Sequence, residues 1–125
     1  MKKAFITGIT GMVGSHLADY LLNNTDWEVY GLVRWNDKMD NIEHLMSRIN
    51  AKDRIDLVYG DINDLSSMLV AFEKTKPDYV FHLAAQSYPK TSFDSPLETL
   101  ETNILGTAKV LDAIKHLGLD PVIHV

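Results

Sequence analysis

Five short apolar runs alternate with longer segments in which apolar residues recur at helical spacing. The runs are Lys3–Thr7, Glu28–Val33, Ile55–Tyr59, Asp78–Leu83 and Pro121–Val125. Most are close to continuously apolar rather than strictly alternating, the pattern of strands covered on both faces of a parallel sheet. Between them, Val13, Leu17, Tyr20 and Leu21 share one face of a helix predicted from Val13 to Leu22. Ile42, Leu45, Met46 and Ile49 repeat the i, i+3, i+4, i+7 spacing, as do Leu65, Met68, Leu69 and Phe72. Asp40 with Glu43 reads as a capping box, Asn63 or Asp64 as the cap of the third helix, and Lys76-Pro77 as its stop. The fourth helix is predicted from Ser95 to about His116. Ser95 suits the N-cap, Pro96 the first helical position and Gly118 the C-terminal stop.

Strand and helix alternate throughout. The expected fold is therefore α/β, a doubly wound parallel sheet over residues 1–125 with right-handed crossovers and strand order 3-2-1-4-5. Ligands of such sheets bind beyond the carboxyl ends of the strands, at the switch point between the first and the fourth. The last apolar run is the final stretch of the sequence. A parallel strand with nothing after it is an unusual end, so a domain cut from a longer enzyme is expected.

Composition narrows the reading. Of the 125 residues, 46% are hydrophobic and 23% charged, which suits one globular domain and not a disordered chain. The net charge of -5 and the lack of a Lys/Arg cluster argue against a nucleic-acid or membrane-surface partner. There is no cysteine, so neither disulfides nor thiol chemistry arise. The apolar run after the two N-terminal lysines is too short for a signal peptide, and no segment is long enough to cross a bilayer. A cytoplasmic, soluble protein is expected.

The chemistry starts at Thr7-Gly8-Ile9-Thr10-Gly11-Met12-Val13-Gly14, which joins the first strand to the first helix. A helix N-terminus carries unpaired N–H groups and partial positive charge, and so attracts phosphate. Glycines there permit the turn, the approach of a pyrophosphate and close helix–strand packing. The spacing differs from G-x-G-x-x-G, so the strand before and the helix after carry the inference. A dinucleotide is the expected ligand.

Arg34 lies twenty residues after Gly14, at the end of the second strand, where an acid would grip the ribose diol of NAD. Arginine suits a 2′-phosphate and can stack on adenine, which favours NADP; Asp37 nearby keeps NAD open, and a solvent-facing arginine is the alternative. Asp61 is a candidate acceptor for the adenine amino group with Ile62 on the ring, or else a turn residue. The small residues of His82-Leu83-Ala84-Ala85-Gln86-Ser87 would let backbone pass beneath a ribose or nicotinamide, or serve packing alone. His82, between Phe81 and Leu83, reads as a buried, hydrogen-bonded histidine rather than a base. His16, His44, His116 and His124 lack partners at metal spacing, and no metal site is expected. Asn103 and Gly106 are poor helix formers in mid-helix; they mark either a constraint or a tolerated surface position.

These motifs together resemble the extended short-chain dehydrogenase/reductase family, in particular its NAD(P)-dependent sugar-nucleotide epimerases and dehydratases. The resemblance covers essentially the whole chain. It rests on Thr7-Gly8-x-x-Gly11-x-x-Gly14, Tyr59-Gly60-Asp61-Ile62, His82 to Ser87, and Asn103-x-x-Gly106-Thr107. Gly31-Leu32-Val33-Arg34, Asn41-Ile42-Glu43-His44-Leu45 and Ala85-Gln86-Ser87 look like the GDP-mannose 4,6-dehydratase branch; Lys76 to Ala85 is also similar to GDP-4-keto-6-deoxy-mannose reductases. The resemblance implies that Gly8, Thr10, Gly11, Met12, Val13, Gly14, Arg34, Asp61, Ile62, Leu83, Ala84, Ala85 and Ser87 contact the cofactor, NADP or NAD. It implies that Asn103 holds its helix against the fourth strand. Ser87, Lys90 and Ser92 would begin the cleft for a nucleotide sugar, a GDP-hexose being favoured, with Lys90 a phosphate contact. A homo-oligomer is implied for the full-length protein.

Two departures stand out. Dehydratases of this kind often carry Asp where this chain has Val13, a residue that points to the reductases as readily. The family's catalytic Tyr-x-x-x-Lys is missing, because none of the five tyrosines has a lysine four residues on. The catalytic Ser/Thr, Tyr and Lys of relatives would lie beyond Val125. The expected full-length activity is 4,6-dehydration of a nucleotide sugar. The alternatives are a 4-epimerase, a 4-keto reductase, or a non-catalytic NADP-binding regulator, and the fragment alone is expected to be inactive.

Overall fold

The computed structural model describes residues 1–84, 94, 96–97 and 101–125, and for 101–102 the backbone only. Strands β1 (Lys3–Thr7), β2 (Glu28–Val33) and β3 (Ile55–Tyr59) have the predicted bounds. The other two are shorter than expected: β4 is Tyr79–His82 and β5 is Val122–His124. All pairings are parallel, in the order β3-β2-β1-β4-β5, as the alternation of elements predicts.

β1 shows why apolar runs need not alternate here. Ala4 and Ile6 belong to a core on one face with α1 (Met12–Asn24), a 3₁₀ segment (Asp40–Leu45) and α2 (Met46–Asn50). Phe5 belongs to a core on the other face with α3 (Leu65–Thr75) and α4 (Gly106–His116). Phe5 and Phe72 meet there at 4.7 Å between ring centres, tilted by 47°. With no face left to water, there is no place for a polar residue every second position.

The helices correct the sequence reading in three places. On α1 the buried residues are Gly14, Ser15, Ala18, Leu21 and Leu22, whereas Val13 and Tyr20 are exposed. Where the helix begins, beside the β1 turn, its inner face takes the small Gly14, Ser15 and Ala18; further along, Leu21 and Leu22 fill the core, as expected of Leu21. Asp40 and Glu43 form no capping box: Met39 is the N-cap, no side chain caps the segment, and Ile42 N–H bonds back to Met39 O at 3.1 Å in a 3₁₀ turn. The predicted fourth helix is not one uniform helix. A π-helical turn at Glu101–Leu105 precedes α4, and Ser95 lies outside the described residues.

Other stops follow the expected chemistry. Asp64 caps α3 by accepting from Ser66 N–H, and Lys76 closes it in a left-handed conformation with φ +44°. Gly118, φ +66°, ends α4, and Leu119 N–H reaches back to Ile114 O at 3.2 Å. At the amino end of the sheet, Arg54 does long-range capping. Its guanidinium donates to Leu22 O and Thr25 O, each at 2.6 Å, and so satisfies carbonyls at the C-terminus of α1.

Candidate functional site

The carboxyl ends of β1 to β4 open on one end of the sheet, and the glycine turn leaves β1 there. Gly8 has φ +79°, and a Cβ on it would stand 2.9 Å from Ala84 N. The turn therefore presses on the segment leaving β4, at the switch point. Gly11 is the N-cap of α1, is exposed, and leaves the helix without any side-chain cap. Its N–H bonds Gly8 O at 3.0 Å, and its carbonyl takes Ser15 N–H at 3.0 Å. A Cβ on Gly11 would meet Gly8 O at 3.3 Å, a tight contact, and no other atom within 4 Å; the residue is otherwise exposed to solvent. Uncapped amides of the first turn, an exposed glycine and the helix dipole suit an anionic group such as phosphate.

The turn is held from the side by the 3₁₀ segment. Asn41 Nδ2 donates to Thr10 O at 2.9 Å, and His44 Nε2 meets Asp19 Oδ1 on α1 at 2.8 Å. Nothing local in the sequence marks Asn41 as a support of the glycine turn, 31 residues away.

After β2, Arg34 and Asp37 form a compact turn. Asp37 Oδ2 accepts Arg34 N–H at 2.8 Å and Oδ1 accepts Arg34 Nε–H at 3.1 Å. Both carboxylate oxygens thus face Arg34, whose side chain stays 55% exposed. Trp35 stacks on Tyr59 at 4.3 Å, the planes 9° apart. Arg34, Trp35, Asn36, Tyr59, Gly60, Asp61, Asp64 and Ser67 line a cleft of about 440 Å³. Its width and its mix of a cation, aromatic faces and polar groups suit a purine with a nearby anion.

Asp61 acts at least as a turn residue: its Oδ1 accepts Asn63 N–H at 2.9 Å, and its N–H donates to Ser67 Oγ at 3.1 Å. Ile62 is buried, 5% exposed, and packs where a Cβ on Gly106 would come within 2.8 Å of its Cδ1. Its side chain is thus part of the core beneath α4. Gly106 is explained by that approach.

Beyond β4, Leu83 and Ala84 are half-buried beside Gly8. Thr7 Oγ1 accepts both their N–H groups, at 3.0 and 3.1 Å. His82 is 5% exposed, with Nδ1 at 2.7 Å from Thr7 Oγ1 and Nε2 at 3.0 Å from Thr107 Oγ1. Burial pushes its pKa below the ordinary histidine value. It is the buried, hydrogen-bonded histidine expected from its neighbours. The role of Thr7 is what sequence reasoning missed: it opens the glycine motif, but nothing there marks its hydroxyl as the partner of His82 and of the Leu83 and Ala84 amides. Asn103 lies in the π-helical turn, and its carbonyl accepts the Thr107 hydroxyl at 2.9 Å.

The structure thus brings Gly8, Thr10, Gly11, Met12, Val13 and Gly14 to one turn beside Leu83 and Ala84, and Arg34 to one cleft with Asp61. Ala85, Gln86, Ser87, Lys90 and Ser92 lie outside the described residues. Among the described residues no group of three or more His, Asp or Glu could hold a metal ion, and no helix is long and apolar enough to cross a membrane.

Comparison with known proteins agrees with this geometry. The family model described as GDP-mannose 4,6 dehydratase matches residues 5–125. The chain is 42% identical over 123 residues to the GDP-mannose 4,6 dehydratase of Drosophila melanogaster, covering 95% of this chain and 31% of that one. It is 37% identical over 122 residues to the Vibrio cholerae GDP-mannose 4,6-dehydratase, covering 95% and 32%. Among solved structures, the Brucella ovis UDP-glucose 4-epimerase in complex with NAD superposes with a TM-score of 0.80 at 25% identity, over 99% of this chain and 35% of that one. The Thermotoga maritima UDP-glucose 4-epimerase with UDP-glucose gives 0.77 at 28%, over 94% and 35%. The chain spans about a third of the length of these relatives.

Proposed function

We propose, for a chain that belongs to the GDP-mannose 4,6 dehydratase family, that it is the cofactor-binding part of an NADP-dependent enzyme acting on a GDP-hexose. The observation that carries the reading is the close approach of Gly8 to Ala84 beside the open first turn of α1. That is where a pyrophosphate would lie in a doubly wound sheet, with amides of Met12 and Val13 as donors and no side chain in the way.

For NADP over NAD, the support is the pairing of Asp37 with Arg34. An acid that grips a ribose diol needs its carboxylate free. Here the carboxylate orients an arginine whose remaining donors suit a 2′-phosphate. Asp61 and the Trp35–Tyr59 stack would border the adenine. Leu83 and Ala84 would pass beneath the ribose and nicotinamide, with Ala85 and Ser87 following. Ser87, Lys90 and Ser92 would begin the sugar-nucleotide cleft.

When bound, the nicotinamide would supply hydride transfer at C4 of the sugar. The groups of this chain bind and orient; a base for the C4 hydroxyl is not among them, since no Tyr-x-x-x-Lys occurs in the sequence. The 125 residues alone are accordingly proposed to bind NADP without turnover, and the full-length enzyme, a cytoplasmic homo-oligomer, to carry out the dehydration. The likeness to two UDP-glucose 4-epimerases favours a sugar-nucleotide 4-epimerase as the second reading.

Titration of the chain with NADPH and NADH, followed by calorimetry, tests the reading. Saturable binding with preference for NADPH is the expected result. Binding of neither overturns the cofactor role, and equal binding of both overturns the NADP assignment.

A further inference from the structure

His82 sits in a chain of hydrogen bonds whose direction can be read from both ends. At one end, Thr7 Oγ1 accepts two backbone N–H groups, that of Ala84 and that of Leu83, which Leu83 shares with Thr7 O at 3.2 Å. A hydroxyl has two acceptor sites and one proton, so its proton is left for His82 Nδ1, 2.7 Å away. Nδ1 must then be the bare nitrogen. At the other end, Thr107 gives its proton to Asn103 O at 2.9 Å. Its oxygen can only accept from His82 Nε2, 3.0 Å away. Nε2 must then carry the hydrogen. Two independent arguments give the same tautomer.

The chain has a mechanical consequence. Thr7 and His82 are the last register pair of β1 and β4, so Thr7 sits at the start of the glycine turn. The amide of Ala84 that Thr7 holds is the atom Gly8 approaches most closely. At its far end the chain reaches α4 and the π-helical turn.

We propose that His82 is a positioning residue locked as the Nε2–H tautomer, which through Thr7 fixes the Leu83 and Ala84 amides against the glycine turn and ties that floor to α4. The part played by this floor in dinucleotide binding rests on the function proposed above; the tether itself does not. A ring proton on Nδ1 would face a Thr7 hydroxyl already holding two N–H groups, so the doubly protonated ring is excluded at neutral pH. That is consistent with the lowering of its pKa by burial.

The test has a part that needs no ligand. Imidazole ¹⁵N shifts at pH 7 should show Nε2 protonated and Nδ1 bare; the opposite tautomer, or a doubly protonated ring, overturns the proposal. Thr7→Val, checked for folding by circular dichroism, should speed hydrogen exchange of the Ala84 amide, more than that of Leu83, which keeps its bond to Thr7 O, and weaken NADPH about tenfold, with Thr7→Ser recovering most of both. Thr107→Val, which leaves Thr7 in place, should free the ring to rotate and blur the two ¹⁵N signals. Unchanged exchange in Thr7→Val overturns the tether. If wild type binds no dinucleotide while exchange still responds, the cofactor reading fails and the tether stands.

Discussion

Gly14 packs so tightly on Gly8 that a Cβ on Gly14 would overlap the Gly8 carbonyl oxygen. A Cβ on Gly11, between them, would stand 3.3 Å from that same oxygen, close but without overlap. The three motif glycines therefore divide their work: Gly14 serves packing, Gly8 serves the turn, and Gly11 is the exposed N-cap, proposed above to border the ligand.

Gly14→Ala should destabilise the chain by about 1–3 kcal/mol, because backbone and not a flexible side chain must move. Gly11→Val, which replaces the N-cap glycine of α1 by a poor cap, should cost about 1 kcal/mol of unfolding free energy and leave the chain folded, yet remove dinucleotide binding. Urea unfolding and calorimetric titration of the two variants check this together. Retained affinity in folded Gly11→Val would show that Gly11 does not face the ligand.

Arg34→Ala should weaken NADPH and leave NADH nearly unchanged. A charged hydrogen bond is worth about 1.5–3 kcal/mol. The half-exposed guanidinium is screened by water, so a loss of about 1 kcal/mol, near fivefold, is expected. Equal losses for both cofactors would mean that Arg34 meets a group other than the 2′-phosphate.

Arg54 holds a left-handed φ of +61° while its guanidinium closes the end of α1. Arg54→Ala loses the bonds and keeps the backbone strain, and should cost about 2 kcal/mol. Arg54→Gly loses the same bonds but relieves the strain, and should be the milder by about 1 kcal/mol. Chemical denaturation measures both. Neither should alter cofactor affinity, since Arg54 lies at the opposite end of the sheet.

The lowered pKa of His82 makes stability depend on pH with a definite sign. Below about 6.5 the unfolded chain takes up a proton at this ring that the folded chain refuses. The contribution of His82 is complete above that pH and is lost as pH falls toward its native value. Unfolding free energies at several pH values from 8 to 5 should decline more steeply for wild type than for His82→Asn. Parallel profiles would contradict the burial argument.

Much of the sheet was legible because continuous apolar runs ended by Gly, Asp or Pro leave few other readings; β1, β2 and β3 begin and end where the pattern puts them. α1 follows the pattern at Leu21 and Leu17, which pack on the core, and departs from it at Val13 and Tyr20, because periodicity weighs large side chains. Its inner face is set by how near the helix comes to Gly8, which favours Gly14, Ser15 and Ala18. The π-helical turn leaves only an Asn103 and a Gly106 as traces. The candidate site was legible in outline where it is local: the glycine turn between β1 and α1 lies where the motif puts it, whereas the pairing of Asp37 with Arg34 was not foreseen. Contacts that span the chain, Thr7 to His82 across 75 residues and Asn41 to Thr10 across 31, are not legible as pairs: the flanks of His82 mark it as hydrogen-bonded, but nothing local names its partner.

β1 gives Phe5 to one core and Ile6 to the other, so two side chains adjacent in sequence anchor opposite faces. Neither layer of helices can loosen while the other stays intact, because the strand between them would have to leave both. The molecule is thereby expected to melt as one cooperative unit, with the amides of Phe5 and Ile6 exchanging only when the whole chain opens.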